Sequence, residues 1–236
     1  MFELPKKLDS FTPYEPLTGD YPVRLDVNES FIEIPADEVV RAVMEIGRVK
    51  LNRYPDPYAT ADVNAFAELF GVDSRCVTAG NGSDELIGLI MAGLLQKSDK
   101  VLTLAPDFSM YSFYAKLHEL QVIELDKDEE LEINVDEVIE YINQNDVKCL
   151  IFSNPCNPTS LGITKDEVER LADETQALIV VDEAYMDFWS DETMLEESNT
   201  LEWQEPESML NEVQGYENLI VLRTCSKSSK AFFTSG

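Results

Sequence analysis

The sequence predicts an α/β fold: an open, mostly parallel sheet with helices on both faces. Three observations carry the expectation. Short, continuous, β-branched runs recur along the chain, among them "KVLTLAP", "KCLIFSNP", "ALIVVDEAY" and "NLIVLRT", as in strands buried on both faces. Segments with helical spacing separate them. Regular alternation of the two is the pattern of a sheet wound with crossovers on either side. At 236 residues the chain is long enough to bury one large core.

Taken in order, the residues through "YEPLTGDYPVRLDVNES" are rich in Pro and Tyr and weak in periodicity, and are expected to form an extended arm. "IPADEVVRAVMEIGRV" has helical spacing with acids in its first turn. Arm and helix make a unit over 1–50, ahead of a larger domain over 51–236. "LNRYPDPYAT" is a loop, since Pro55 and Pro57 break any regular element. "ADVNAFAELFGV" is a helix closed by Gly71 at the position glycine favours. "CVTAG" is expected as a short strand, and "SDELIGLIMAGLLQ" as a helix capped by Ser83. The strand and helix pairs "KVLTLAP" and "SMYSFYAKLHEL", "QVIELD" and "NVDEVIEYINQ", "KCLIFSNP" and "TKDEVERLADET" follow, then the strand "ALIVVDEAY". An acidic, irregular insert with a helix at "ESMLNEVQ" precedes the last strand, "NLIVLRT".

Composition narrows the function classes. A formal net charge of -28 argues against nucleic acid and anionic membrane, both of which are bound by cationic surface. Between Arg170 and Arg223 no basic residue or histidine occurs, which reads as a solvated acidic surface. The longest apolar run, "LIGLIMAGLL", is about ten residues, where a membrane span needs roughly 20. The N-terminus has no apolar core after its basic pair and so does not read as a signal peptide. Four scattered cysteines without a CxxC pair, and one histidine, His118, argue against a metal site and for free cytoplasmic thiols.

In an open α/β sheet the ligand crevice lies beyond the carboxyl ends of the strands. There the sequence places "GNGSDE", "PDFSMY", "NPCNPTSLG", "DEAY" and "TCSK". "GNGSDE" offers free N–H groups at a helix start, which suits a phosphate. Gly80 and Gly82 do not complete a dinucleotide fingerprint, because Glu85 stands at the third position. Asp182 ends an all-apolar strand, so its carboxylate needs a cationic partner from the protein or from a ligand. Tyr185 follows three residues on, and Asn154 supplies a neutral amide at the neighbouring strand end. Phe108 and Tyr111 are expected to pack as core or lid. Lys227 follows the last strand, where most lysines are merely exposed. Together, a phosphate turn, an aromatic face, a neutral donor, a buried carboxylate and an amine are what pyridoxal 5'-phosphate requires.

The motifs "LDVNES", "RYPDP", "GNGSDELI", "SNPCNPTSLG", "VDEAYMDF" and "VLRTCSK" stand in the order seen in histidinol-phosphate aminotransferases, and the chain resembles that fold-type-I family over 1–227. The resemblance implies a homodimeric, pyridoxal-phosphate-dependent enzyme that transaminates a small amino-acid-like phosphate with 2-oxoglutarate. It implies Lys227 as the Schiff-base lysine, with no role for Lys230, and Asp182 as partner of the pyridinium nitrogen. Asn154 and Tyr185 would bond the phenolic oxygen, and Phe108 would stack on the ring. Ser83, Asp84, Thr224 and Ser226 would meet the phosphate, Tyr54 would reach the phosphate of the neighbouring subunit, and Asn28 would lie in the substrate pocket. "NPTS" departs from the usual "NPTG" at Ser160, a change expected to be tolerated because Gly162 follows. Threonine-phosphate decarboxylases look similar over this region, and a non-catalytic remnant is the other alternative. After "SKS" the resemblance stops at "SKAFFTSG". The family continues with a phosphate-binding arginine, an interior antiparallel strand and a small domain. The expectation is therefore an incomplete large domain, with unpaired edges on the "CVTAG" and "NLIVLR" strands.

Overall fold

A computed structural model describes residues 2–11, 18–23, 28, 33–189 and 207–227 of the chain. Its centre is a five-stranded parallel sheet of β1 (Lys100–Ala105), β2 (Gln121–Asp126), β3 (Val147–Ser153), β4 (Leu178–Asp182) and β5 (Leu219–Leu222), in the order β2-β1-β3-β4-β5. Residue alternation sends the side chains of each inner strand to opposite faces. Leu150, Phe152, Ile179 and Val181 pack under α5 (Val135–Asn145) and α6 (Lys165–Glu174). Cys149, Ile151 and Val180 pack under α3 (Ser83–Gly93) and α4 (Met110–Leu117). Both faces are thus covered, which is why β3 and β4 read as unbroken apolar runs.

Local signals explain several boundaries. Thr164 and Glu167 form a reciprocal capping box at the start of α6. α2 (Thr60–Phe70) ends at Gly71, whose φ of 69° is the left-handed conformation open to glycine. α1 (Ala36–Ile46) forms as its spacing predicts, and buries none of its residues against the described chain.

Three expectations are corrected. "CVTAG" is not a strand: residues 74–76 make one 3-10 turn and 77–80 run on without a ladder. A strand exists only by pairing, and no described strand flanks this segment. The sheet therefore ends at β5, which carries the open edge expected of "NLIVLR", while "CVTAG" adds no second edge. Ser83 does not cap α3. It is the first helical residue, and Gly82 stands in the capping position with no side-chain bond. The helix expected over 207–214 shrinks to a single 3-10 turn, Met209–Asn211, capped by the Ser208 hydroxyl. The acidic insert, Lys230 and the tail beyond 227 lie outside the described residues.

Candidate active site

The carboxyl ends of β3, β4 and β5 gather the polar residues. Register pairs Ser153 with Asp182, and Asp182 with Leu222, so the segments after these strands start side by side. Asp182 is 4% exposed. Its Oδ2 accepts from the Tyr111 hydroxyl at 2.9 Å and its Oδ1 from the Ala184 backbone N–H at 3.0 Å. Among the described residues no lysine or arginine pairs with it. Burial pushes its carboxyl up to about 6, against the pull of the two hydrogen bonds.

The loop after β1 backs this carboxylate. Asp107 accepts from the Ser153 hydroxyl and from the Ser153 backbone N–H at 3.1 Å, which ties the loop to the end of β3. Burial raises the Asp107 pKa despite those bonds. The Phe108 ring stands edge-on to Tyr111, their centroids 5.5 Å apart. On the far side a buried ion pair closes the floor. Glu183, 1% exposed, accepts from the Ser208 hydroxyl, the Met209 N–H and Arg223, whose other nitrogen binds Asp187. The Arg223 guanidinium also lies 5.1 Å from the centre of the Phe70 ring. Arg223 thus ties the end of β5, and the Thr224–Lys227 segment after it, to the end of β4.

That segment brings Lys227 to Tyr185 and Asn28. The Lys227 Nζ donates to the Asn28 carbonyl at 3.3 Å and lies 5.8 Å from the Tyr185 ring centre. The Asn28 amide donates to the Tyr185 hydroxyl at 3.0 Å. Thr224 and Ser226 share a hydroxyl–hydroxyl bond of 2.9 Å. Beside this cluster opens a cavity of about 400 Å³ walled by Asn28, Cys156, Asn157, Tyr185, Phe188 and Trp189. Asp182 is not part of its wall.

The structure therefore brings together Asn28, Tyr185 and Lys227, and separately joins Asp182 and Phe108 through Tyr111, which touches both. Ser83 and Asp84 sit at the start of α3 with no bond to either group, and Tyr54 is wholly exposed. Asn154 is engaged within its own loop. Its amide donates to the Ile163 carbonyl at 3.0 Å and accepts from the Ile163 N–H at 2.8 Å, so the side chain closes its own loop. Of the two asparagines in this loop, Asn157 lines the cavity and Asn154 does not. "NPCNPTS" holds both asparagines, and their order alone does not say which one the turn aims outward. Ser160 adopts φ 63°, with its N–H bound to the Cys156 carbonyl. Gly162 is required for space: a Cβ there would lie 2.5 Å from the Asn154 Oδ1 and 3.1 Å from the Trp189 ring. Sequence reasoning also missed the hydroxyl of Tyr111, the Asp107–Ser153 tie and the Arg223 clamp.

Comparison with known proteins places the fold and the sequence in a family. Residues 23–231 match the family "Aminotransferase class I and II". The chain is 39% identical over 226 residues to the histidinol-phosphate aminotransferase of Clostridium novyi (strain NT), covering 94% of this chain and 58% of that protein. The chain thus spans less than two thirds of the length of such curated relatives. Among solved structures, the histidinol-phosphate aminotransferase from Sinorhizobium meliloti in complex with pyridoxal-5'-phosphate aligns with a TM-score of 0.75 at 19% identity, over 94% of this chain and 58% of that one. L-threonine-O-3-phosphate decarboxylase from Porphyromonas gingivalis aligns at 0.63 and 18% identity, over 83% of this chain and 55% of that one. At these identities the structures speak for the fold.

Proposed function

The chain belongs to the aminotransferase class I and II family, and from that premise we propose that it binds pyridoxal 5'-phosphate and serves transamination of histidinol phosphate with 2-oxoglutarate. One observation carries the cofactor reading: Asp182 is a buried carboxylate whose described partners are all neutral donors. Such a group is costly unless a cation meets it, and a pyridinium nitrogen is a cation of the right kind. The residues present fit the group. When bound, the cofactor supplies an electron sink for the bond-breaking at the substrate α-carbon.

The chain's own residues would do the rest. Asp182 would hold the proton on the ring nitrogen. Lys227 would attach the cofactor through its Nζ and carry the proton between the two carbons of the transfer. Tyr185 and Asn157 offer a hydroxyl and an amide for the phenolic oxygen, Asn157 replacing Asn154 in that role. Phe108 would cover the ring. Thr224, Ser226 and the N-terminal turn of α3 at Ser83 and Asp84 would meet the phosphate, where backbone N–H groups favour an anion. Asn28, bonded to Tyr185 and Lys227, would bound the substrate side. Tyr54, exposed on its own chain, would serve a second subunit, which makes the working unit a homodimer in the cytoplasm.

The test is an absorbance titration of the full chain with pyridoxal phosphate, beside Lys227→Ala, followed by addition of histidinol phosphate. A visible band absent from the variant and bleached by the amine supports the reading. No band in either protein overturns it. Carbon dioxide release from threonine phosphate would move the substrate to the decarboxylase class.

A further inference from the structure

We infer that Tyr111 is a positioning residue for Asp182: its hydroxyl fixes the carboxylate's orientation and favours its ionised form. The consequence for the cofactor rests on the pyridoxal-phosphate reading above, in which an ionised Asp182 leaves the proton on the ring nitrogen.

Tyr111 sits in the first turn of α4, 71 residues from Asp182 in sequence, with its ring 1% exposed in the core. Packing alone would be served by phenylalanine at this place. The hydroxyl instead reaches the Asp182 Oδ2 at 2.9 Å, while the Ala184 N–H holds Oδ1. A carboxylate gripped at both oxygens has one orientation left. The direction of donation is also fixed, because burial, then the nearby Asp182 and Asp107 charges, keep the phenol protonated well above its ordinary range.

The charged surroundings make this hydroxyl decisive. From the loop after β1, Asp107 faces Asp182, and along β4 Glu183 lies next to it; both are acidic and both oppose its ionisation. Glu183 has Arg223 as partner, whereas β3 contributes only the neutral Ser153 at the paired position. Burial opposes the charge further. Against these stand, among the described residues, two neutral donors, of which Tyr111 is the only side chain. A hydrogen bond to the charged form favours that form, so removing it shifts the proton toward Asp182 and away from any base bound opposite.

The experiment uses the cofactor-free full chain labelled with ¹³C at aspartate carboxyls, with the Asp182 signal identified by its loss in Asp182→Asn. Tyr111→Phe is expected to raise the Asp182 titration midpoint by about one pH unit, a tenfold change in its ionisation equilibrium. A folded variant whose midpoint stays within about 0.3 unit of wild type, well under the one-unit effect, overturns the inference. Should the variant not fold, the wild-type chain with ¹³Cζ-labelled tyrosine decides: the Tyr111 signal is expected to move through the Asp182 midpoint, and a flat signal overturns the inference. Neither readout needs the cofactor. Failure of the pyridoxal-phosphate reading would show only in the absorbance titration.

Discussion

Asp182→Asn is expected to stabilise the cofactor-free chain above neutral pH while weakening cofactor binding. Burial holds the folded carboxyl at about 6, above its ordinary 3.8. Between those values the folded chain keeps a proton that the unfolded chain has lost. The resulting stability is fully present below the lower value and is lost as pH rises through the higher one. At about 1.36 kcal/mol per pH unit, the whole effect is on the order of 3 kcal/mol. Asparagine has nothing to titrate, and the Tyr111 hydroxyl can rotate to accept from its amide. Asp107 and Glu183, whose pKa values burial also raises, remain in both chains, so the part of their titration that burial sets is common to both. Urea unfolding followed by far-UV circular dichroism at pH 5 and pH 8 measures it. Over that window the wild type is expected to lose about 1.4 kcal/mol more than the variant. Parallel profiles would refute the reasoning, because they would mean that the carboxylate is hydrated or already has a cation.

Arg223→Met should cost about 3 kcal/mol in urea unfolding, since it leaves Glu183 charged and buried without its cation; adding Glu183→Gln should recover part of the loss. Gly162→Ala should lower stability by about 1–3 kcal/mol and impair cofactor binding, because the new methyl meets Asn154 and Trp189. Ser160→Gly should instead gain about 1 kcal/mol by relieving a left-handed serine, with cofactor affinity unchanged. Asn154→Ala and Asn157→Ala should separate: the first costs about 2 kcal/mol of stability by stranding the buried Ile163 backbone groups, while the second weakens cofactor binding in the absorbance titration and leaves the urea midpoint near wild type.

What the sequence made legible follows from where each residue's fate is decided. β3 and β4 are buried on both faces, so their apolar runs are as plain in the sequence as in the sheet. The capping box of α6 is local chemistry within four residues. "CVTAG" carries the same composition as a strand but depends on a neighbour, and without a ladder it stays irregular. Asp182 was legible as an acid ending an apolar strand. Its grip by Tyr111 was not, because a tyrosine at a core position on α4 shows its ring in the periodicity and hides where its hydroxyl ends. The different placements of Asn154 and Asn157 have the same origin. Both follow a strand end, and only the path of the 154–163 loop bonds the Asn154 amide to Ile163 and sets Asn157 in the cavity wall.

The most direct test of the account asks which amine takes the cofactor. The full chain, loaded with pyridoxal phosphate, would be reduced with borohydride, digested and mapped by mass spectrometry. The account predicts a single modified lysine, Lys227, with the modification lost in Lys227→Ala. A label on Lys230, a label scattered over exposed lysines, or none at all would contradict it.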